Sequence, residues 1–238
     1  MKNDIIITGG ANGIGLECAK LYKSKGYNVF VLDIDKVEGK KLSKYGIHYY
    51  VCDVSSEDDV NYIANLMLPQ LNQLVAIINC AAIQIEEDFE CYNQKKWQKV
   101  INTNYFGVCN VIHAFFKFLS EDSTILNLIS VHSVKPRTKK YAYDSSKSAI
   151  EILTKELALE FAPHKITVNA LSFGAVETDM NNTWLTHSEQ REIARAKVPL
   201  KIVFNPVQIA NFTYVIIKVF SKYTTGSVFV IDGGRSLT

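Results

Sequence analysis

Short runs rich in valine and isoleucine alternate along this chain with longer stretches of helical period, and that order is the signature of repeated strand–helix–strand units. Strands are predicted at residues 4–8, 28–33, 48–52, 74–79, 124–130, 166–171 and 227–231. Helices are predicted at 13–25, 55–68, 95–119, 144–161 and 206–220; in the fourth, Ile150, Leu153, Leu157 and Phe161 recur at a spacing that lines one face. Crossovers of this kind are right-handed in nearly every case. The expected fold is therefore α/β, a doubly wound, seven-stranded, mostly parallel sheet with helices on both faces. With 238 residues, 47% of them hydrophobic, the chain can bury a sizeable core and still form a single domain, 1–238. Residues 178–200 are polar and hold no strong period outside 189–196, so they are the expected substrate lid.

Charge narrows the partner. Lys and Arg number 26 against 24 Asp and Glu, so the chain has no global field of the kind that nucleic-acid or membrane-surface binding needs. The expected partner is a small molecule. The five cysteines, Cys18, Cys52, Cys80, Cys91 and Cys109, form no C-x-x-C pair and are odd in number, which fits a reducing cytoplasm. The apolar run at the start is too short for a signal peptide, and no run of about 18 apolar residues occurs. The five histidines show no metal-ligand spacing, so no metal is expected.

The first predicted strand runs directly into Thr8-Gly9-Gly10-Ala11-Asn12-Gly13-Ile14-Gly15 and then a helix. Glycines there let the backbone turn sharply and approach a pyrophosphate, whose charge the helix N-terminus holds. Any strand-to-helix turn favours glycine, so the turn alone is a weak signal. Asp33 strengthens it: closing the second strand 18 residues after Gly15 (33 − 15), it can accept hydrogen bonds from ribose hydroxyls. Asp53, after the third strand, either contacts the adenine edge or caps a helix beside Ser55.

A Tyr-x-x-x-Lys spacing puts both side chains on one helix face, where an ammonium beside a phenol favours the phenolate, by ~1–3 pKa units. The spacing occurs three times, at Tyr92/Lys96, Tyr143/Lys147 and Tyr214/Lys218. Only Tyr143 has a serine 13 residues upstream (143 − 130), and Ser130 ends a predicted strand, where open α/β sheets bind ligands.

With these residues the sequence resembles the short-chain dehydrogenase/reductase family, from Ile5 to Leu237. The matching segments are Thr8-Gly9-x-x-x-Gly13-Ile14-Gly15, Cys52-Asp53-Val54, Asn79-Cys80-Ala81-Ala82, Asn104-Tyr-Phe-Gly107, Asn127-Leu-Ile-Ser130, Tyr143-Asp-Ser-Ser-Lys147, Val168-Asn-Ala-Leu-Ser-Phe-Gly174-Ala-Val176-Glu-Thr178, Val198-Pro-Leu and Val230-Ile-Asp232-Gly233-Gly234. The resemblance implies a Rossmann fold that binds NAD and interconverts a secondary alcohol and a ketone. It makes Tyr143 the proton donor or acceptor and Ser130 the residue that orients the carbonyl. Lys147 would hold the nicotinamide ribose while tuning Tyr143, and the backbone of Asn104 would anchor a water in a proton relay. Gly9, Asn12, Gly13, Ile14, Gly15, Asp33, Asp53, Val54, Asn79, Ala81, Tyr143, Lys147, Gly174, Val176 and Thr178 are implied to bind the cofactor. Three positions depart from the family pattern: Cys80 and Ala82 within Asn79–Ala82, and Phe173 before Gly174. Cys80 reads as a small buried hydrophobe rather than a reactive thiol.

Helices 95–119 and 144–161 match those through which the family pairs, so a homotetramer or homodimer is expected. A different class of reading is a sensor or scaffold that keeps the fold without turnover; the intact Asn104, Ser130, Tyr143 and Lys147 set disfavours it. An enoyl reductase on the same fold separates Tyr and Lys by six residues, which Tyr143 and Lys147 contradict. His132 reads as an exposed loop residue. The basic loop Lys135-Pro-Arg137-Thr-Lys139-Lys140 reads as solvated, with attraction of an anionic substrate as the alternative.

Overall fold

Ile5, Ile6 and Ile7 are all fully buried although successive strand residues point to opposite faces, so helices must cover both faces of their strand. They belong to β1 (Asn3–Thr8), followed by β2 (Asn28–Asp33), β3 (His48–Val51), β4 (Gln73–Asn79), β5 (Leu119–Leu128), β6 (Thr167–Phe173) and β7 (Val228–Ile231). In a computed structural model that describes residues 3–181 and 188–238, these form one sheet in the order β3-β2-β1-β4-β5-β6-β7. Every adjacent pair is parallel, where the sequence left room for an antiparallel strand.

The helices are α1 (Gly13–Ser24), α2 (Lys36–Lys41), α3 (Glu57–Met67), α4 (Gln94–Ile101), α5 (Gly107–Phe115), α6 (Tyr141–Phe161), α7 (Ser188–Ala196) and α8 (Pro206–Val215). On one face Ile5, Ile7, Val29 and Val31 pack with Cys18 and Tyr22 of α1 and Ile209 of α8. On the other, Ile6, Phe30 and Leu32 pack with Val60 of α3, Val111 and Phe115 of α5 and Ile150 of α6.

Two sequence expectations change. The single helix predicted over 95–119 is interrupted by a π turn at Asn102–Phe106, after which Gly107 packs so tightly on Val54 that a Cβ there would lie 2.7 Å from its Cγ2. Helix α2, six residues of sequence KVEGKK, has no apolar period to announce it. It is set instead by its cap, Asp35, which accepts hydrogen bonds from the Val37 and Glu38 amides. The expected lid at 178–200 lies partly outside the described residues; of the remainder, Asp179–Asn181 forms a helical turn and Ser188–Ala196 a helix.

Chain order reverses between β1 and β4, and a crevice opens there beyond the carboxyl ends of the strands. It is a cavity of about 1610 Å³ whose lining includes Gly9 after β1, Asp33 at the end of β2, Asp53 after β3, Ala81 after β4, Ser130 after β5 and Gly174 after β6.

Candidate active site

The floor of the cavity is the turn from β1 into α1. Gly9 and Gly13 have φ of +64° and +54°, in the left-handed region that side chains avoid. A Cβ on Gly9 would lie 2.7 Å from the Ala81 Cα, and one on Gly15 would lie 2.2 Å from the Gly9 carbonyl oxygen. The turn is therefore pressed against both the next loop and its own helix. The first turn of α1 holds no acidic residue, so the positive end of its dipole meets no acid of its own helix. A Cβ on Gly13 would come within 3.5 Å of Thr178 Cγ2, on the far side of the same space. This cradle fits the pyrophosphate of a dinucleotide.

Asp33 stands beside the cradle. Its Oδ2 accepts from the Ala11 amide at 2.9 Å and its Oδ1 from the Asp35 amide at 3.0 Å, which holds the carboxylate on the cavity wall with lone pairs to spare. Asp35, which sequence reasoning missed as a site residue, lines the same wall and accepts from Asn12 Nδ2 at 3.3 Å. Its carboxyl is held below the usual range, first by the Glu38 amide. Lys36 is exposed and does not line the cavity. Asp53 also lines the cavity, and its Oδ1 accepts from the Ser55 amide and hydroxyl at 2.9 and 2.7 Å. The helix-capping role read for Asp53 is therefore not the one it plays: the cap of α3 is Ser56, and Asp53 bonds Ser55 ahead of the helix while lining the cavity.

Ser130, Tyr143 and Lys147 meet at the other end of the cavity, all nearly buried. Ser130 follows β5 and caps a helical turn, its Oγ accepting from the His132 amide at 3.2 Å. Tyr143 and Lys147 lie one turn apart on α6, with Lys147 Nζ 5.7 Å from the Tyr143 ring centre. Here the sequence expectation needs correction. Lys147 donates to the Leu128 carbonyl at 2.8 Å, and burial pushes its ammonium down to about 8. Burial pushes the phenol up to about 12, with the Ser130 hydroxyl pulling the other way. With both groups stripped of water, burial is the largest cause acting on each and favours the neutral phenol over the phenolate.

Asn104 sits in the π turn, fully buried, and does not line the cavity. Its side chain donates to the Ile83 carbonyl and the Ser146 hydroxyl, both at 3.0 Å, and accepts from the Ile83 amide at 2.8 Å, which ties the loop after β4 to α6. Asn79 is also turned inward, donating to Asn127 Oδ1 at 2.9 Å, and Gly15 lies behind the turn. These three shape the site from outside the cavity. Asn12, Ile14, Val54, Ala81, Val176 and Thr178 line it as expected. Cys80 also faces the cavity, half-buried, with its thiol pushed up to about 12 by burial while Lys147 pulls the other way. The other two Tyr/Lys pairs are elsewhere: Tyr92 stacks on Phe89, and Tyr214 packs on Tyr22.

His132 and Lys140 are the second correction. Lys140 is buried, donating to Gln84 Oε1 at 2.8 Å and pairing with Glu86 Oε1 at 3.2 Å. The His132 side chain is only 23% exposed, its Nδ1 faces Asp144 Oδ1 at 3.7 Å, and neither atom has a hydrogen-bond partner. Burial, then Lys140 and Arg137, hold the imidazole down to about 4 from an ordinary 6.5. Below pH 6.5 the unfolded chain therefore binds a proton that the folded chain refuses, and stability falls as pH drops through this window. Asp144, whose carboxyl burial raises, acts in the opposite sense at lower pH. Between pH 7 and 5 the His132 contribution is a loss of about 2 kcal/mol. Urea denaturation at the two pH values should show it, and His132→Gln should flatten it.

Comparison with known proteins gives this geometry its context. A family model described as enoyl-(acyl carrier protein) reductase matches residues 9–236. Curated relatives include the 3-oxoacyl-(acyl-carrier-protein) reductase FabG of Thermotoga maritima, 29% identical over 96% of each chain. The 3beta-hydroxysteroid dehydrogenase 1 of Eggerthella lenta is 27% identical over 98% of this chain and 93% of its own. Among solved structures, a 3-ketoacyl-(acyl-carrier-protein) reductase from Brucella melitensis complexed with NADH shares the fold with a TM-score of 0.89 over 98% of both chains, at 24% identity. A doubly wound sheet with a dinucleotide cradle defines the class, a Rossmann-fold oxidoreductase. The chain belongs to the short-chain dehydrogenase/reductase family, whose members bind a nicotinamide dinucleotide and act on CH–OH or keto groups of small molecules. Among the described residues no helix is long and apolar enough to cross a membrane.

Proposed function

We propose that this chain transfers a hydride between NAD(H) and a secondary alcohol or ketone, with Tyr143 as the general acid and base. The observation that carries this reading is the convergence of Ser130, Tyr143 and Lys147 on one cavity that continues to the glycine cradle and Asp33. The cradle and Asp33 would hold the dinucleotide, and Lys147 with Tyr143 would hold its nicotinamide ribose. When bound, the dinucleotide supplies or accepts the hydride.

In reduction Tyr143, kept neutral by burial, gives its Oη proton to the carbonyl oxygen and is left as the phenolate; in oxidation it takes the alcohol proton only after its own has left, for which deprotonated Lys147 is the neighbouring acceptor. Ser130 donates its hydroxyl proton to the same oxygen and stabilises charge that develops there. Lys147, itself easily deprotonated, can pass a proton on to Tyr143. Asn104 acts from behind by holding the Ile83 loop against α6.

Enoyl reduction, which the matching family model's description names, is the weaker reading, because Tyr143 and Lys147 stand one helical turn apart instead of six residues. A panel of hydroxysteroids, sugar alcohols, 3-hydroxyacyl thioesters and trans-2-enoyl thioesters, followed by nicotinamide absorbance with the oxidised and reduced forms of both NAD and NADP, tests the proposal. Oxidation of at least one alcohol upholds it; turnover of enoyl thioesters alone overturns it.

The homodimer or homotetramer also belongs to this reading. Phe106 of the π turn and Ile152 and Leu159 of α6 are 49%, 55% and 80% exposed on the elements through which the family pairs. Sedimentation at micromolar concentration should return a dimer or tetramer, and a monomer would overturn the expectation.

A further inference from the structure

The end of the cavity beyond Tyr143 carries charge that the hydride chemistry does not use. The described residues that line the cavity include Lys135, Arg137, Lys140, Lys197 and Arg235; the acids set against them are Asp179 in the lining and Asp144 behind Arg137 and Lys140. These side chains come from three separate parts of the chain: the loop between Ser130 and Tyr143, the residue after α7, and the turn after β7. A solvated charge run on one loop would not produce such convergence.

Several contacts place them on one wall. Lys140 Nζ lies 5.7 Å from the Tyr143 ring centre. His132, whose ring meets Tyr143 edge-on with centres 6.4 Å apart, lies in the field of Lys140, Arg137 and Arg235 together. Thr238 gathers the rest: it accepts from Lys135 Nζ through its carbonyl and from Arg235 Nη1 through its hydroxyl at 3.4 Å, and its Oγ1 donates to the Lys197 carbonyl at 3.2 Å. Glu86 and Asp144 offset part of the Lys140 charge, which leaves five cations against three acids, Asp179 included. His132, held neutral, adds none at neutral pH. The wall is net positive, and a cleft with low-dielectric sides concentrates such a field.

We propose that this basic wall recognises an anionic group on the substrate, so that the ketone carries a carboxylate or a phosphate a few bonds from its carbonyl carbon. The inference rests on the carbonyl chemistry proposed above for Ser130 and Tyr143, and it names the substrate class of that same site. An anion here lies beyond the reacting carbon as seen from the dinucleotide cradle, so it does not compete with the pyrophosphate. It fixes the orientation of the ketone in the cavity.

The test compares two matched pairs of ketones, acetoacetate with methyl acetoacetate and hydroxyacetone phosphate with hydroxyacetone. In the wild type, the anionic member of at least one pair should have a kcat/KM at least tenfold above its neutral partner, and which pair responds separates carboxylate from phosphate. The double variant Lys197→Gln, Arg235→Gln alters two residues outside the buried core and should reduce that ratio at least tenfold. Ratios near one in the wild type, or ratios that the double variant leaves intact, overturn the proposal. Calorimetric titration of the four compounds in the presence of NADH separates this outcome from failure of the carbonyl reading. If none is turned over, tighter binding of an anion that the double variant abolishes still upholds the basic site, and equal binding of all four overturns it.

Discussion

Tyr143→Phe is expected to lower turnover by at least ~100-fold while cofactor affinity stays within a few-fold, because the substitution removes one proton and one oxygen from an otherwise unchanged wall. Tyr143 is nearly buried and packs with Val100 and Ala142, and the phenylalanine ring keeps those contacts. What disappears is the only phenol that the fold sets beside Ser130 among the described cavity residues. Ser130 can still donate to the carbonyl oxygen, yet a hydroxyl with no nearby base is a poor source of the proton that the product alcohol needs. Steady-state rates with any accepted ketone give the first number and fluorescence titration with NADH the second. Retention of more than about a tenth of wild-type turnover would move the acid/base role elsewhere. Lys147→Met serves as the contrast. It removes the cation from beneath the ring and a donor from the ribose position, so both rate and cofactor affinity should suffer.

The wild type is expected to use NAD in preference to NADP by roughly 100-fold in kcat/KM, a ratio equal to about 2.7 kcal/mol, within the range that like-charge juxtaposition costs. The reason is charge placed where the two cofactors differ. Asp33 is fixed on the cavity wall by the Ala11 and Asp35 amides, and Asp35 brings a second carboxylate to the same wall. Ribose hydroxyls can donate to this pair, whereas a 2′-phosphate meets two negative groups. The neighbours that could neutralise it are Asn12 and Ile34, which are uncharged, and Lys36 is turned out of the cavity. Asp33→Ala should compress the ratio by weakening NAD use and relieving NADP. The remaining Asp35 keeps it from reversing fully. Equal or better use of NADP by the wild type would overturn the assignment of Asp33.

Much of this molecule was legible in the order of its residues, for identifiable reasons. A strand buried on both faces needs a nearly continuous apolar run, so Ile5-Ile6-Ile7 and Val29-Phe30-Val31-Leu32 announced themselves, and the seven predicted strands are the seven observed. The glycine turn was legible because two of its residues adopt a positive φ and a third meets its own turn at a distance no side chain tolerates. Ser130, Tyr143 and Lys147 were legible because a strand end and one helical turn fix their relative positions almost without help from the rest of the chain.

Local pattern determined which elements form and which side chains they present; tertiary packing decided what each side chain experiences. Asp35 and helix α2 were missed because a cap and a six-residue helix carry no periodic signal. Lys140 and His132 sit on a polar loop, and only the folding of that loop over Tyr143 buries Lys140, half-buries His132 and leaves it facing Asp144. The basic wall exists because loops distant in sequence close on one crevice, a convergence that no spacing encodes. The direction in which the Tyr143 phenol shifts depends on the same packing. Spacing places the ammonium near the phenol, but only the packed structure shows that both are stripped of water, and burial is the largest cause acting on each.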